Sequence, residues 1–203
     1  MVEIAVPLLL AGVLTWWATV SGFDFGAEWW IHHIGGDTWA IGDHPFWSLL
    51  YEAGTYPATV VVFAALALLA ASWKTARLQR WRRVFVFLIL SGLIGPGVIT
   101  NVILKEYWGR PRPRELVDFG GRSAFEPALT IDLTSNGMSF PCGHATMGFY
   151  FLAFYFLLRR HKPGMAQGTL FLSLSAGGLM GLARMTQGAH FFTDVVWAGG
   201  VCW

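Results

Sequence analysis

Long apolar runs dominate this chain and decide what it can fold into. Three of them, at 57–73, 84–104 and 164–183, approach or reach the ~20 residues that a helix needs to cross ~30 Å of hydrocarbon. Over the whole chain 55% of residues are hydrophobic and only 13% are charged, about half the charged fraction that is usual in soluble domains. The sequence therefore predicts an integral membrane protein.

Further apolar segments bring the expected number of spans to six. The predicted spans lie at 4–21, 57–73, 84–104, 144–158, 164–183 and from 191 to the end. The first run has no basic segment before it and no Ala-x-Ala-like cleavage site, so we interpret it as a retained span rather than a signal peptide. The last run reaches only ~20 Å, and we expect residues beyond this sequence to complete it. The fold prediction is an all-α bundle of six transmembrane helices, the last one truncated.

The placement of lysine and arginine sets the expected orientation. The loops after the second and fourth predicted spans are rich in basic residues and contain no acidic residue, so the positive-inside rule places both in the cytoplasm. All acidic residues except Glu3 then fall on the opposite side. This topology leaves two long non-cytoplasmic loops, 22–56 and 105–143. The net charge of +2 gives no indication of nucleic acid as a partner.

The two long loops differ in character. Loop 22–56 mixes aromatic, acidic and histidine residues, and we expect an interfacial segment without chemistry, because its histidines match no metal-ligand spacing. Loop 105–143 contains five of the six basic residues that lie on the wrong side of the positive-inside rule. They are Lys105, Arg110, Arg112, Arg114 and Arg122. A local violation of that rule indicates that the charges have a function.

Three segments on the predicted non-cytoplasmic face combine residues that suit phosphoryl transfer. They are KEYWGRPRP at 105–113, FPCGH at 140–144 and RMTQGAHFFTD at 184–194. Positive charge and donors suited to a phosphoryl group come from Lys105, Arg112 and Arg184. Gly143 permits close approach of the backbone to an oxyanion, where a helix is expected to start.

Two histidines supply the titratable groups for a nucleophile and an acid. Asp194 follows His190 by four residues, so on a helix the two side chains would share a face and could hydrogen-bond. The carboxylate could then orient the imidazole and stabilise the cation that forms when His190 attacks. His144 is the second group.

Each of the three segments also has a simpler structural interpretation. A cation at a span end often anchors the helix at the interface, a His–Asp pair can be structural, and Pro-Cys-Gly-His can be a turn before a helix. Because all three segments lie on one predicted face and together contain the parts of a phosphoryl-transfer site, the catalytic interpretation is favoured.

Together these residues resemble the three-part signature of the type-2 phosphatidic acid phosphatase superfamily, which includes integral-membrane lipid phosphatases. The matching residues are Lys105, Arg112-Pro113, Pro141-Cys142-Gly143-His144, Arg184, His190 and Asp194. With their flanking spans they cover about the last 120 residues. The chain departs from the family pattern at Cys142 and Ala183, where the family usually has serine.

The resemblance implies a six-helix enzyme that needs neither a metal nor another cofactor. His190 would attack phosphorus and form a phosphohistidine, with Asp194 orienting it, and His144 would protonate the leaving oxygen and then activate water. The phosphate would be bound by Lys105, Arg112, Cys142, Gly143 and Arg184.

The expected substrate is a phosphorylated lipid such as phosphatidylglycerol phosphate, an isoprenyl pyrophosphate or the lipid A 1-phosphate. We expect the site to face the periplasm from a bacterial inner membrane. Headgroup selectivity is expected in loop 114–139, with Arg114, Arg122 and Phe125 as candidates. Two alternatives stay open: a lipid phosphotransferase with the same intermediate, and a non-enzymatic transporter or scaffold. No oligomeric state is predicted.

Overall fold

A computed structural model describes residues 2–203, and within that range every regular element is a helix. In chain order the α-helices are α1 Val2–Ser21, α2 Phe23–Ile34, α3 Pro45–Ala53, α4 Tyr56–Ala71, α5 Ala76–Gln79, α6 Arg82–Gly92, α7 Lys105–Tyr107, α8 Gly143–Phe149, α9 Leu152–Leu158, α10 Pro163–Thr186 and α11 Phe192–Cys202. A π-helical stretch, Leu93–Leu104, joins α6 to α7. Short 3₁₀ turns lie at Ala40–Asp43, Pro113–Glu115 and Val117–Phe119. The all-α prediction is confirmed.

Within the described residues 2–203, three helical segments are long and apolar enough to cross a membrane. They are Pro45–Ala71, Arg82–Tyr107 and Pro163–Thr186. Ala5–Val20 and Phe23–Ile34 form a pair bent by 67°, which would make a fourth span if the pair crosses as one. The spans predicted at 144–158 and from 191 correspond to the shorter apolar helices Gly143–Leu158 and Phe192–Cys202. The structure therefore supports three or four crossings by length and composition, and the count of six stays a prediction.

The segment 22–56, expected to be an interfacial loop between two spans, is largely helical, while its interfacial position stays a prediction. It contains α2 and α3, and α3 leads into α4 so that the long helical segment begins at Pro45 rather than at 57. In α2 the buried residues Asp24, Glu28 and Ile31 follow one another at helical spacing and form one inward stripe. Two of the three are acidic, which is why a search for apolar runs missed this helix.

Pro96 lies inside the π-helical stretch and shapes the helix that leads to the candidate site. Proline has no backbone N–H to continue the regular pattern. The side chain of Asn101 instead donates from Nδ2 to the Pro96 carbonyl, at 2.6 Å. The helix continues past this irregular stretch into α7. It thereby brings Lys105 next to the start of α8, where its Nζ lies 3.0 Å from the position that a Cβ on Gly143 would occupy.

Close packing of α8 against α10 fixes the other side of the site. A Cβ on Gly148 would lie 2.5 Å from the backbone nitrogen of Gly177, so the two helices meet backbone to backbone, as small residues allow in membrane bundles. Ser173 of α10 also donates to the Gly148 carbonyl, at 3.2 Å. The start of α8 is joined to α11 as well, because the Cys142 amide donates to the Asp194 carbonyl at 3.1 Å.

Candidate active site

His190 is buried, and its Nδ1 is held by the backbone. It lies in the turn between α10 and α11, after Gly188, which has φ 60°. The distance from His190 Nδ1 to the carbonyl oxygen of Ser139 is 2.6 Å. Because a carbonyl can only accept, Nδ1 must carry the proton. In the neutral ring Nε2 then keeps its lone pair, which is the state a nucleophile requires.

Asp194 supports this arrangement, but in a different way from the one predicted. Since α11 begins at Phe192, His190 and Asp194 do not share a helix, and that expectation is wrong. Asp194 Oδ2 lies 3.6 Å from His190 Nδ1, an ion-pair distance rather than a hydrogen bond. The same oxygen accepts hydrogen bonds from Ser139 Oγ at 2.5 Å and from the Phe191 amide at 2.8 Å. Asp194 therefore fixes the residue whose carbonyl orients the imidazole.

Arg110 completes this buried network, and its contacts there were not predicted. Its Nη1 donates to Asp194 Oδ1 at 2.6 Å and to Thr193 Oγ1 at 2.9 Å, and its Nη2 donates to Asp24 Oδ2 at 2.9 Å. Its Nε donates to the Glu126 carbonyl at 3.0 Å. Each of its three nitrogens thus has a partner, and two carboxylates face one buried cation.

Asp24 was missed because it lies in the segment expected to contain no chemistry. It accepts hydrogen bonds from the amide of Thr193 at 3.0 Å and from the Thr193 hydroxyl. It therefore joins α2 to the start of α11. One signal in the sequence could have indicated this face of α2. Asp24 and Glu28 are two acidic residues four positions apart, which is helical spacing.

The predicted phosphate-binding cations lie together, and two keep unused donors. Lys105, Arg112 and Arg184 are near enough for their charges to interact, and Arg114 joins them beside Arg184. The Nε atoms of Arg112 and Arg184 are buried and have no hydrogen-bond partner among the described residues. Four neighbouring cations, two of which keep a free buried donor, form a site that an anion such as phosphate would satisfy.

Arg112 and Arg184 are each held in position by neighbouring side chains. The backbone amide of Arg112 donates to Glu115 Oε2 at 2.8 Å, and Glu115 Oε1 lies 3.9 Å from Arg112 Nη1. Arg184 donates from Nη1 to Gln187 Oε1, and its guanidinium lies 4.4 Å from the centre of the Tyr51 ring. These contacts orient both side chains without using all of their donors.

Tyr51 connects the cation cluster to His144 and was not predicted. Its ring centre lies 4.9 Å from that of His144, with the ring planes tilted by 30°. His144 is half-buried and close enough to Lys105, Arg184 and His190 for their charges to interact. The two histidines, the cations and one aromatic ring from α3 therefore surround a common space.

Cys142 lies beside His190 and is fully buried. Burial raises the pKa of the thiol, but the neighbouring His190 outweighs burial and holds it below its usual value. Burial likewise lowers the pKa of His190, and Cys142 and Asp194 outweigh it in the other direction. Cys142 and Cys202 are both free thiols. Cys202 instead donates to the Thr146 carbonyl at 3.3 Å.

An open cavity of about 590 Å³ adjoins the cation cluster. Its lining is Thr38, Trp39, Ala40, Gly42, Asp43, Ser48, Tyr51, Glu52, Arg114, Arg184 and Gln187. Of the candidates in loop 114–139 for headgroup selectivity, only Arg114 lines it. Arg122 lines a separate cavity of about 440 Å³. Phe125 packs against Phe25 and Phe191, with ring centres 5.7 and 5.4 Å away. Most of the wall comes from the segment 38–52 instead.

Metal binding finds no support in the residues that the structure describes. Among residues 2–203 no group of three or more histidine, cysteine, aspartate or glutamate side chains is arranged to hold a metal ion. Metal independence stays a prediction, which a chelator can test.

The sequence of the chain matches a known family and individual known proteins. Residues 84–203 match the PAP2 superfamily. The chain is 36% identical over 152 residues to the lipid A 4'-phosphatase of Francisella tularensis subsp. novicida, which covers 74% of this chain and 68% of that protein. It is 37% identical over 107 residues to the lipid A 4'-phosphatase of Rhizobium leguminosarum, covering 51% and 44%. No solved structure matches this chain significantly.

Proposed function

The chain belongs to the PAP2 superfamily and is a lipid phosphate hydrolase, and from this premise we propose that it removes a phosphate monoester from lipid A at the non-cytoplasmic face of a bacterial inner membrane. One observation carries the mechanism: His190 Nδ1 is tied to the Ser139 carbonyl, at 2.6 Å, beside cations that keep free donors. The nucleophile would be His190 Nε2.

In the first step Nε2 of His190 forms a bond to phosphorus while the bond from phosphorus to the sugar oxygen breaks. His144 gives its proton to that oxygen, so the product leaves as an alcohol. Lys105, Arg112 and Arg184 neutralise the equatorial phosphate oxygens, the main contribution in phosphoryl transfer. The phosphohistidine that results carries the phosphoryl group on Nε2.

The second step uses water. His144, now neutral, takes a proton from water as the oxygen attacks phosphorus and the bond from phosphorus to Nε2 breaks. Inorganic phosphate leaves and both histidines return to their starting states. Through both steps the Ser139 carbonyl and the buried Asp194 keep Nδ1 protonated and stabilise the imidazolium that forms during attack.

The choice of lipid A rests on the relatives, because two proteins that share 36% and 37% identity with this chain are named lipid A 4'-phosphatases. We propose the 4'-phosphate as the substrate, with the 1-phosphate as the closest competitor. Six crossings with the site facing the periplasm fit the basic loops at 74–83 and 159–162. They also fit the two short apolar helices Gly143–Leu158 and Phe192–Cys202, which would complete the bundle.

The test is release of inorganic phosphate by purified protein from a panel of lipid A, phosphatidylglycerol phosphate and isoprenyl pyrophosphate. We expect the highest kcat/KM with lipid A, turnover that survives excess EDTA, and inhibition by vanadate, which mimics five-coordinate phosphorus. His190→Gln should abolish release in every case. Activity that is lost on chelation and restored by a divalent ion would overturn the mechanism. Phosphate that appears on an acceptor lipid instead of in solution would identify a phosphotransferase.

A further inference from the structure

We propose that the cavity of about 590 Å³ beside the cation cluster is a subsite for the sugar ring that carries the phosphate. Its selecting residues would be Trp39, Asp43 and Glu52. This inference rests on the proposed function, because it assumes that phosphate binds at Lys105 and Arg184. It goes further by naming the residues that would distinguish a lipid with its phosphate on a sugar from other phosphorylated lipids.

The cavity opens directly onto the phosphate-binding residues. Arg184 lines it, and so does Tyr51, whose ring contacts both the Arg184 guanidinium and the His144 ring. A group covalently attached to the phosphate would therefore extend into this space. Its volume lies within the range of about 300–1,000 Å³ that is usual for small-molecule sites.

The lining of the cavity carries charges of both signs. Arg114 and Arg184 provide cations, and Asp43 and Glu52 provide carboxylates. No ion pair in the described part of the chain neutralises either carboxylate. Carboxylates repel phosphate and accept hydrogen bonds only. The group that fits beside them must carry several donors, as the hydroxyl and amide groups of an amino sugar do.

Trp39 gives the cavity an aromatic surface that is fixed to the catalytic turn. A Cβ on Gly188 would lie 2.4 Å from the Trp39 indole, so glycine is required for this contact. Trp39 also packs against His32 and Phe119, with ring centres 5.0 and 5.3 Å away. Since Gly188 lies two residues before His190, the indole has a fixed position relative to the nucleophile.

A second contact joins the same wall to the same turn. A Cβ on Gly42 would lie 2.6 Å from Gln187 Cγ and 2.9 Å from the Thr186 carbonyl oxygen. The segment 38–43 therefore packs directly on residues 186–188. The wall is preformed, so a sugar would bind with little cost of ordering it.

This lining separates the three substrate classes considered from sequence. An isoprenyl pyrophosphate offers no hydroxyl or amide donor beyond its phosphates, and phosphatidylglycerol phosphate offers a single hydroxyl. With either of these lipids bound, few or no hydrogen-bond donors would lie between the phosphate and the carboxylates of Asp43 and Glu52. A site built to bond to hydroxyl groups rejects analogues that lack them. The cavity therefore favours a sugar-borne phosphate over both.

The experiment measures a selectivity ratio, kcat/KM for lipid A divided by kcat/KM for phosphatidylglycerol phosphate, in detergent micelles. Glu52→Gln and Asp43→Asn should each lower this ratio about 10- to 100-fold, the effect of losing a hydrogen bond to a charged group. Trp39→Ala should lower it as well. The matched controls are Asp37→Asn and Trp30→Ala, two exposed residues of the same region that do not line the cavity, and both should keep the wild-type ratio.

The outcomes separate this inference from the proposed function. If wild-type protein releases phosphate from neither lipid, the proposed function fails. If it turns over both lipids equally well, or if Glu52→Gln and Asp43→Asn keep the wild-type ratio, the phosphatase stands and the sugar subsite is wrong. Glu52→Gln and Asp43→Asn decide the matter even if Trp39→Ala does not fold, because both carboxylates are exposed.

Discussion

Arg110 and Arg112 stand two residues apart in one loop, yet their guanidinium groups have opposite surroundings. Arg110 is fully buried, and each of its three nitrogens has a hydrogen-bond partner, among them two carboxylates. Arg112, like Arg184 across the site, keeps a buried Nε without a partner in the described chain. A cation whose three nitrogens are all hydrogen-bonded within the protein stabilises the fold. A cation with donors to spare is available to an anion.

The largest expected effect comes from removing Arg110, the arginine whose nitrogens all have hydrogen-bond partners. Arg110→Ala would leave Asp24 and Asp194 as neighbouring buried carboxylates without their cation, and removing one partner of a buried ion pair costs about 3–5 kcal/mol. The measurement is the unfolding midpoint in detergent, followed by tryptophan fluorescence. Arg122→Ala, an exposed arginine of the same loop, is the control and should unfold as wild type does. An unchanged midpoint for Arg110→Ala would remove the distinction between the two arginines.

Arg184 keeps a donor without a partner, so Arg184→Ala should reduce activity while leaving the fold intact. Removing a preorganised donor from a transition-state charge typically costs about 10²- to 10³-fold in kcat, or ~2.7–4 kcal/mol. The unfolding midpoint should stay within about a degree or two, since this side chain is partly exposed and, among residues 2–203, donates a hydrogen bond only to Gln187. Arg184→Lys should recover part of the activity, because lysine restores the positive charge but not the planar pair of guanidinium donors. Equal activity in all three proteins would show that Arg184 does not contact phosphate.

Ser139→Ala tests the contact that joins the buried Arg110–Asp194 network to His190. It deletes the hydroxyl that donates to Asp194 Oδ2 but keeps the carbonyl that binds His190 Nδ1. Because a buried acceptor loses one of its donors, we expect a stability loss of about 1–3 kcal/mol, with activity reduced by on the order of tenfold or less. Ser139→Thr, which retains a hydroxyl, is the matched comparison. A complete loss of turnover with wild-type stability would mean that the hydroxyl itself takes part in the reaction.

The three segments that were expected to form one site do lie together, because Lys105, Arg184 and His190 are all close enough to His144 for their charges to interact with it. Their individual contacts were mostly not predicted. The partners of Arg110, however, are 84 and 86 residues away along the chain, and no local periodicity reports contacts of that length. The prediction that His190 and Asp194 share a helix was wrong. Two residues four apart lie on one face only if both are in the helix, and α11 begins at Phe192, after His190.

The segment 22–56 shows a second reason why sequence reasoning stopped short. Its helix α2 turns acidic residues inward, where Asp24 pairs with Arg110. A search for apolar faces treats such a helix as an exposed loop. Tyr51 was missed for a similar reason, because its role comes from two side chains, His144 and Arg184, supplied by α8 and α10.

The smallest expected effect is at Cys142, where the family pattern has serine. The thiol lies beside His190, but the chain has no arginine six residues further on to form the phosphate cradle of a cysteine-dependent phosphatase, since that position is Gly148. A hydroxyl donates a stronger hydrogen bond than a thiol. Cys142→Ser should therefore keep or raise turnover of lipid A. A fall of more than about a hundredfold, ~2.7 kcal/mol in the barrier, would give the sulfur a role that this mechanism does not contain.

The most direct test of the mechanism is to trap the covalent intermediate. Protein mixed with lipid A carrying a radiolabelled phosphate is quenched in base within milliseconds, digested, and analysed for the labelled peptide. The mechanism predicts an acid-labile, base-stable phosphate on His190, absent from His190→Gln and accumulating in His144→Ala if water attack is slowed more than transfer to the enzyme. Label on His144 or Cys142 instead, or a phosphate bond that resists acid, would contradict it.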